Sequence, residues 1–164
     1  MINLQSLPLA VVDVESTGLD DDSRCVEVAV VHLELGGRAL PRIAFQSRVN
    51  PEAPMSWKAS TVTGITDADL KSAPTFDEVG PHLLKAMQGR VVTAYNAPAD
   101  FAWIHRDATR VGLHAPPWPW LDVLIWAKEV DKYESSKSLA QVCQRRGIAV
   151  DAHGAAGGRA GDGA

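Results

Sequence analysis

Cysteine is scarce in this 164-residue sequence, and its two copies, Cys25 and Cys143, stand far apart. They form no pair with metal-ligand spacing, so a cysteine zinc site has no basis here. The start of the chain does not read as a secretory leader. Both thiols are therefore expected to be free, in a reducing and cytoplasmic setting. No apolar run reaches the roughly 20 residues of a membrane span, so no membrane partner is expected. An excess of positive charge is missing too: 16 Lys and Arg face 20 Asp and Glu, for a formal net charge of −4. That argues against a protein that coats nucleic acid through a broad basic field. It leaves room for an enzyme that holds a strand end through metal ions and a local patch. There is no internal repeat. The length suits one domain with a real core, and is too short for two.

What is present begins at Leu9-Ala10-Val11-Val12-Asp13-Val14-Glu15-Ser16-Thr17-Gly18. The apolar, β-branched start reads as a buried strand. Asp13 and Glu15 interrupt it at i and i+2, so both side chains face one side of the strand. Two neighbouring carboxylates repel, and burying them unpaired is costly. The spacing alone fits two readings. One is an edge strand with two solvated acids. The other is a pair of hard oxygen ligands for Mg²⁺ or Mn²⁺. Ser16-Thr17-Gly18 reads as the turn that ends the strand.

Further along, residues 20–22 form an acidic run, read as a solvated loop. Residues 26–35 predict a second strand, Gly36-Gly37 a hairpin, and residues 39–49 a third strand, together an antiparallel meander. Residues 54–61 read as a loop with a short helix, and 67–70 as a capped helical turn. Phe76, Val79, Leu83, Leu84 and Met87 recur at helical spacing, closed by Gly89. Residues 91–95 predict another strand, and 99–111 a helix stopped by Gly112. Pro116-Pro117-Trp118-Pro119-Trp120 is a rigid aromatic connector. The stretch from Leu121 passes from a short strand into a helix, with Asp122 as its cap. A last helix spans 139–145. The expected domain is 1–152. Residues 153–164 are glycine-rich, without apolar periodicity, and are expected to form a flexible tail.

Three pieces carry a resemblance. They are Asp13-Val14-Glu15-Ser16-Thr17-Gly18, then Tyr95-Asn96-Ala97-Pro98-Ala99-Asp100, then His153-Gly154-Ala155. Asn50-Pro51 and Val62-Thr63-Gly64-Ile65-Thr66 add to them. In this order they resemble the DEDD-type 3′–5′ exonucleases with a catalytic histidine, and most of all the proofreading (epsilon) subunits of bacterial DNA polymerase III. The resemblance implies an α/β fold, a ribonuclease H-like mixed five-stranded sheet flanked by helices. It implies two Mg²⁺ or Mn²⁺ ions on Asp13, Glu15 and Asp100, with His153 as general base. It implies a single-stranded DNA 3′ end as substrate, and a DNA polymerase as a partner. Ser16, Thr17, Gly18, Leu19, Trp57 and Asn96 are the expected substrate contacts. Trp57 is the best stacking candidate, because it reads as part of a loop.

The sequence also departs from the family. Tyr95 stands where histidine is usual, Ala99 for phenylalanine, and Thr63 for a frequent histidine. The family's fourth carboxylate falls at Gly158, and Asp162 is displaced from it by about one helical turn of 5.4 Å. The C-terminus is thus expected to be truncated or altered, with weakened metal binding and rate. Two alternatives follow. One is an RNA 3′-end trimming exonuclease. The other is a catalytically impaired relative that binds a strand end or a polymerase. His32, His82, His105 and His114 are read as structural or solvated.

Overall fold

Five strands and six helices build the domain in a computed structural model that describes residues 7–34, 36 and 40–149. The strands are β1 (Pro8–Ser16), β2 (Cys25–Glu34), β3 (Arg42–Arg48), β4 (Val91–Ala94) and β5 (Trp120–Asp122). The helices are α1 (Trp57–Thr63), α2 (Asp67–Leu70), α3 (Phe76–Met87), α4 (Ala97–Arg110), α5 (Val123–Val130) and α6 (Leu139–Arg145). The expected tail, with His153 and Gly158, lies outside the described residues. No helix among the described residues is long and apolar enough to cross a membrane.

The sheet order is β3-β2-β1-β4-β5. β1, β2 and β3 form the antiparallel meander, and β4 and β5 add in parallel. The mixed sheet matches the expected ribonuclease H-like class. β1 is therefore central, and the edge-strand reading of Asp13 and Glu15 is excluded.

Alternation along β1 sorts its two faces. Ala10, Val12 and Val14 are buried in the main core with Val28, Val30 and Val92. Phe76, Val79, Leu83 and Met87 of α3, and Ile104 and Ala108 of α4, complete that core. Asp13 and Glu15 project to the other face and are half-buried. Cys25 is a buried free thiol that burial pushes up to about 12, so it stays protonated at neutral pH. Cys143 is free as well.

Local signals explain most boundaries. α1 begins at Trp57 because Ser56 caps it, its side chain accepting the N–H of Ala59 at 3.1 Å. Gly64, with φ 71°, ends it in the left-handed region. Trp57 thus opens the short helix expected in this stretch and does not belong to its loop part. α4 starts at Ala97, earlier than the expected 99, because Pro98 fits a helix's first turn.

Candidate active site

The acids lie on β1, which pairs antiparallel with β2 on one side and parallel with β4 on the other. Asp13 is paired across the ladder with Ala29, and Glu15 with Glu27. Alanine leaves room beside Asp13, whereas Glu27 puts a third carboxylate next to Glu15. Glu27 is held from its other side by Arg48, at 3.9 Å. Sequence reading did not pick out Glu27; its only local signal is one acid inside an apolar strand.

Asp100 arrives from the first turn of α4. The β1–β4 ladder runs from Leu9↔Val91 to Val11↔Thr93. Beyond it the Val14 N–H finds a different acceptor, Oδ1 of Asp100 at 3.0 Å. Asp100 is thereby brought to the backbone segment between Asp13 and Glu15. It is itself buried, 6% exposed.

The cost of gathering these groups shows in their proton affinities. Burial raises Asp100 to about 7, with the Asp13 charge adding to it, although N–H bonds from Val14 and its own backbone oppose the rise. Glu15 is also pushed to about 7, by burial first and then by Asp13 and Glu27. Burial raises Asp13. Burial and Asp13 raise Glu27, against the pull of Arg48. Among the described residues, no lysine, arginine or histidine forms an ion pair with Asp13, Glu15 or Asp100. Carboxylates of this kind, buried or half-buried and without a cationic partner, suit a hard divalent cation, whose charge would remove the repulsion. The described residues do not by themselves close a cage of three or more ligating side chains on one point. The fit rests on the chemistry of the donors and on their shared location.

A groove of about 430 Å³ opens beside Glu15. Val14, Ser16, Gly18 and Leu19 line one side; Lys58, Ala59, Val62 and Thr63 of α1 line the other, and Trp103 of α4 also contributes. Leu19 is 91% exposed, so its side chain is free to meet a ligand. Gly18 keeps the turn tight: a Cβ there would stand 3.1 Å from Ser23 Oγ. Ser16 Oγ donates to the Gly18 carbonyl at 2.6 Å. Thr17 turns inward and ties the loop together, its Oγ1 accepting the Arg24 N–H and its carbonyl accepting the Ser56 N–H.

Trp57 does not line this groove; its side chain is largely exposed elsewhere on α1. The indole that does line it is Trp103, one helical turn after Asp100. Its Nε1 is buried without a hydrogen-bond partner. The i, i+3 spacing from Asp100 was a usable signal for it. Asn96 caps α4 in a left-handed conformation and is not part of the groove wall. The described histidines have other surroundings. His32 Nε2 lies 2.7 Å from the Ala86 carbonyl, His82 stacks on Phe45, and His105 packs on Trp118.

Residues 10–157 match the exonuclease (RNase_T) family. The chain belongs to the exonuclease family. A DNA polymerase III subunit epsilon-like protein of Rhodobacter capsulatus is 32% identical over 149 residues, which is 90% of this chain and 21% of that protein. A PolC-type DNA polymerase III of Bacillus cereus is 32% identical over 144 residues, 87% of this chain and 10% of that protein. The chain thus spans about a tenth to a fifth of the length of these relatives. Among solved structures, the nuclease domain of 3′hExo, described as a DEDDh family member bound to rAMP, superposes with a TM-score of 0.72 at 20% identity. That match covers 89% of this chain and 82% of the other. Exonuclease X in complex with 5′ overhanging duplex DNA matches with a TM-score of 0.64 at 24% identity, over 87% and 75% of the two chains. At these identities the structural matches speak for the fold.

Proposed function

We propose that this exonuclease-family chain hydrolyses single-stranded DNA from its 3′ end, releasing nucleoside monophosphates. The observation that carries the reading is the meeting of Asp100 with the Asp13–Glu15 segment through the Val14 N–H. Asp13, Glu15 and Asp100 would hold divalent cations, Mg²⁺ or Mn²⁺. Such ions supply charge stabilisation at the attacking and leaving oxygens of a phosphodiester.

The chain's own groups do the rest. The groove of Leu19, Val62 and Trp103 takes the terminal base and sugar, with the apolar walls excluding water. Lys58 provides a local positive charge beside it in a protein whose net charge is −4. Ser16 and Gly18 fix the floor of the turn, and Thr17 braces it against α1. By family resemblance, His153 accepts the proton of the attacking water, a task suited to a side chain that titrates near neutrality. Gly158, at the place of the family's fourth carboxylate, predicts reduced turnover, and Gly158→Asp should raise it. A polymerase is the proposed partner, since the relatives' names are those of an epsilon-like subunit of DNA polymerase III and of a PolC-type DNA polymerase III.

The test is release of mononucleotides from 3′- and 5′-labelled single strands, with Mg²⁺ or Mn²⁺ and with EDTA. Metal-dependent shortening from the 3′ end is expected, with DNA favoured over RNA and single strand over blunt duplex. Faster shortening of RNA would reassign the substrate. The absence of cleavage with retained end-binding would mark an impaired relative.

A further inference from the structure

The corner between β4 and α4 is held by a residue that is not one of the three acids. Asn96 adopts φ 72° and ψ 46°, a left-handed conformation that non-glycine residues disfavour. Its N–H is bonded by Oδ1 of Asp122 at 2.9 Å. The same oxygen accepts the Leu124 N–H, also at 2.9 Å. Asp122 is buried at the end of β5, which pairs with β4 through Ala94↔Asp122. One turn beyond Asn96 comes Asp100, bonded to Val14.

Capping α5 needs only the Leu124 bond. The second bond reaches back to Asn96 and does something a cap does not. It supplies a fixed acceptor at the strained corner from which α4 departs, and the departure of α4 decides where Asp100 lands. We propose that Asp122 is a positioning residue of the acidic site: by bonding the Asn96 N–H it locks the left-handed corner and thereby holds Asp100 on Val14. The inference rests on the reading of Asp100 as a site residue. It requires no metal, and so it can fail or stand separately.

Amide hydrogen exchange followed by NMR, without metal, tests it. In the wild type, the Asn96 and Val14 amides should be protected. Asp122→Ala should lower protection at both by about tenfold or more, and leave the β1–β2 ladder unchanged. Asp122→Asn should keep it, because its amide oxygen can accept both bonds. Asn96→Gly in the Asp122→Ala background should restore Val14, since glycine adopts the left-handed region unaided. Mn²⁺ affinity, read by electron paramagnetic resonance on the same proteins, should follow Val14 protection. Failure of the wild type to bind Mn²⁺ would refute the metal reading, while the exchange data still decide the role of Asp122. Unchanged Val14 protection in Asp122→Ala overturns the proposal. So does uniform loss across the sheet that Asn96→Gly does not rescue. Free exchange at Asn96 in the wild type overturns it as well, and needs no variant to fold.

Discussion

Replacing Asp100 by Asn should stabilise the metal-free protein near pH 8 while removing the proposed activity. The carboxyl of Asp100 titrates at about 7 in the fold against an ordinary 3.8. The folded state therefore binds its proton more tightly than the unfolded chain. Stability then falls as pH rises from about 4, where the unfolded group begins to ionise, to about 7, and is flat above that. Each pKa unit is worth about 1.4 kcal/mol, so the gap of about three units implies a cost on the order of 4 kcal/mol at pH 8. Coupling to Asp13 and Glu15 reduces this to about 2–4 kcal/mol. Asparagine removes the charge but can still accept the Val14 N–H, so the packing reason for Asp100 survives. For a domain of this size the gain should appear as a rise of about 5–10 °C in Tm. Thermal unfolding in EDTA at about pH 5 and pH 8 measures it. The variant should gain most at the higher pH and roughly a third as much at the lower one. Millimolar Mn²⁺ should stabilise the wild type at the higher pH and leave the variant unmoved. A variant destabilised equally at both pH values would refute the claim that charge burial dominates at this position.

Other outcomes follow from the same geometry. Asp13→Asn and Glu15→Gln should each lower single-strand turnover by on the order of 10²–10³-fold, and Mn²⁺ titration should show weakened binding in parallel. Trp103→Ala should raise KM for a single-stranded substrate by about 5–100-fold, as loss of one stacking surface does. Trp57→Ala, outside the groove, should change it less, and steady-state kinetics on one oligonucleotide series separates the two. His153→Ala should lower kcat and flatten the pH–rate profile near neutrality; an unchanged profile would remove His153 from the mechanism. Leu83→Ala, in a fully buried position of α3, should cost about 2–5 kcal/mol in urea unfolding and leave the groove's ligand preference intact.

Local chemistry in the chain determined a good deal of this protein. Alternation put Asp13 and Glu15 on one face of β1 and Val12 and Val14 on the other, because the strand repeat is two residues and burial follows it. The meander, the Phe76–Met87 helix and the Leu139–Arg145 helix were legible from periodicity and from glycines that can take the left-handed region. Even the cap at Asp122 was visible, since an acid before an apolar run serves the first free N–H groups of a helix.

Tertiary structure decided the rest. Whether the acidic strand lies at an edge or in the middle depends on β4 pairing beside it, more than seventy residues away, and no local pattern encodes that choice. The same holds for Glu27, whose place beside Glu15 follows from the β1–β2 register. Trp103 rides on the helix that delivers Asp100 and lines the groove, whereas α1 presents Lys58, Ala59, Val62 and Thr63 to it and not Trp57. The second bond of Asp122 exists only because β5 lies against β4. Periodicity reports which face of an element a residue occupies. Which groups meet there is set by pairings distant in the chain, whose closure is driven by burial of the apolar face and whose polar remainder becomes the site.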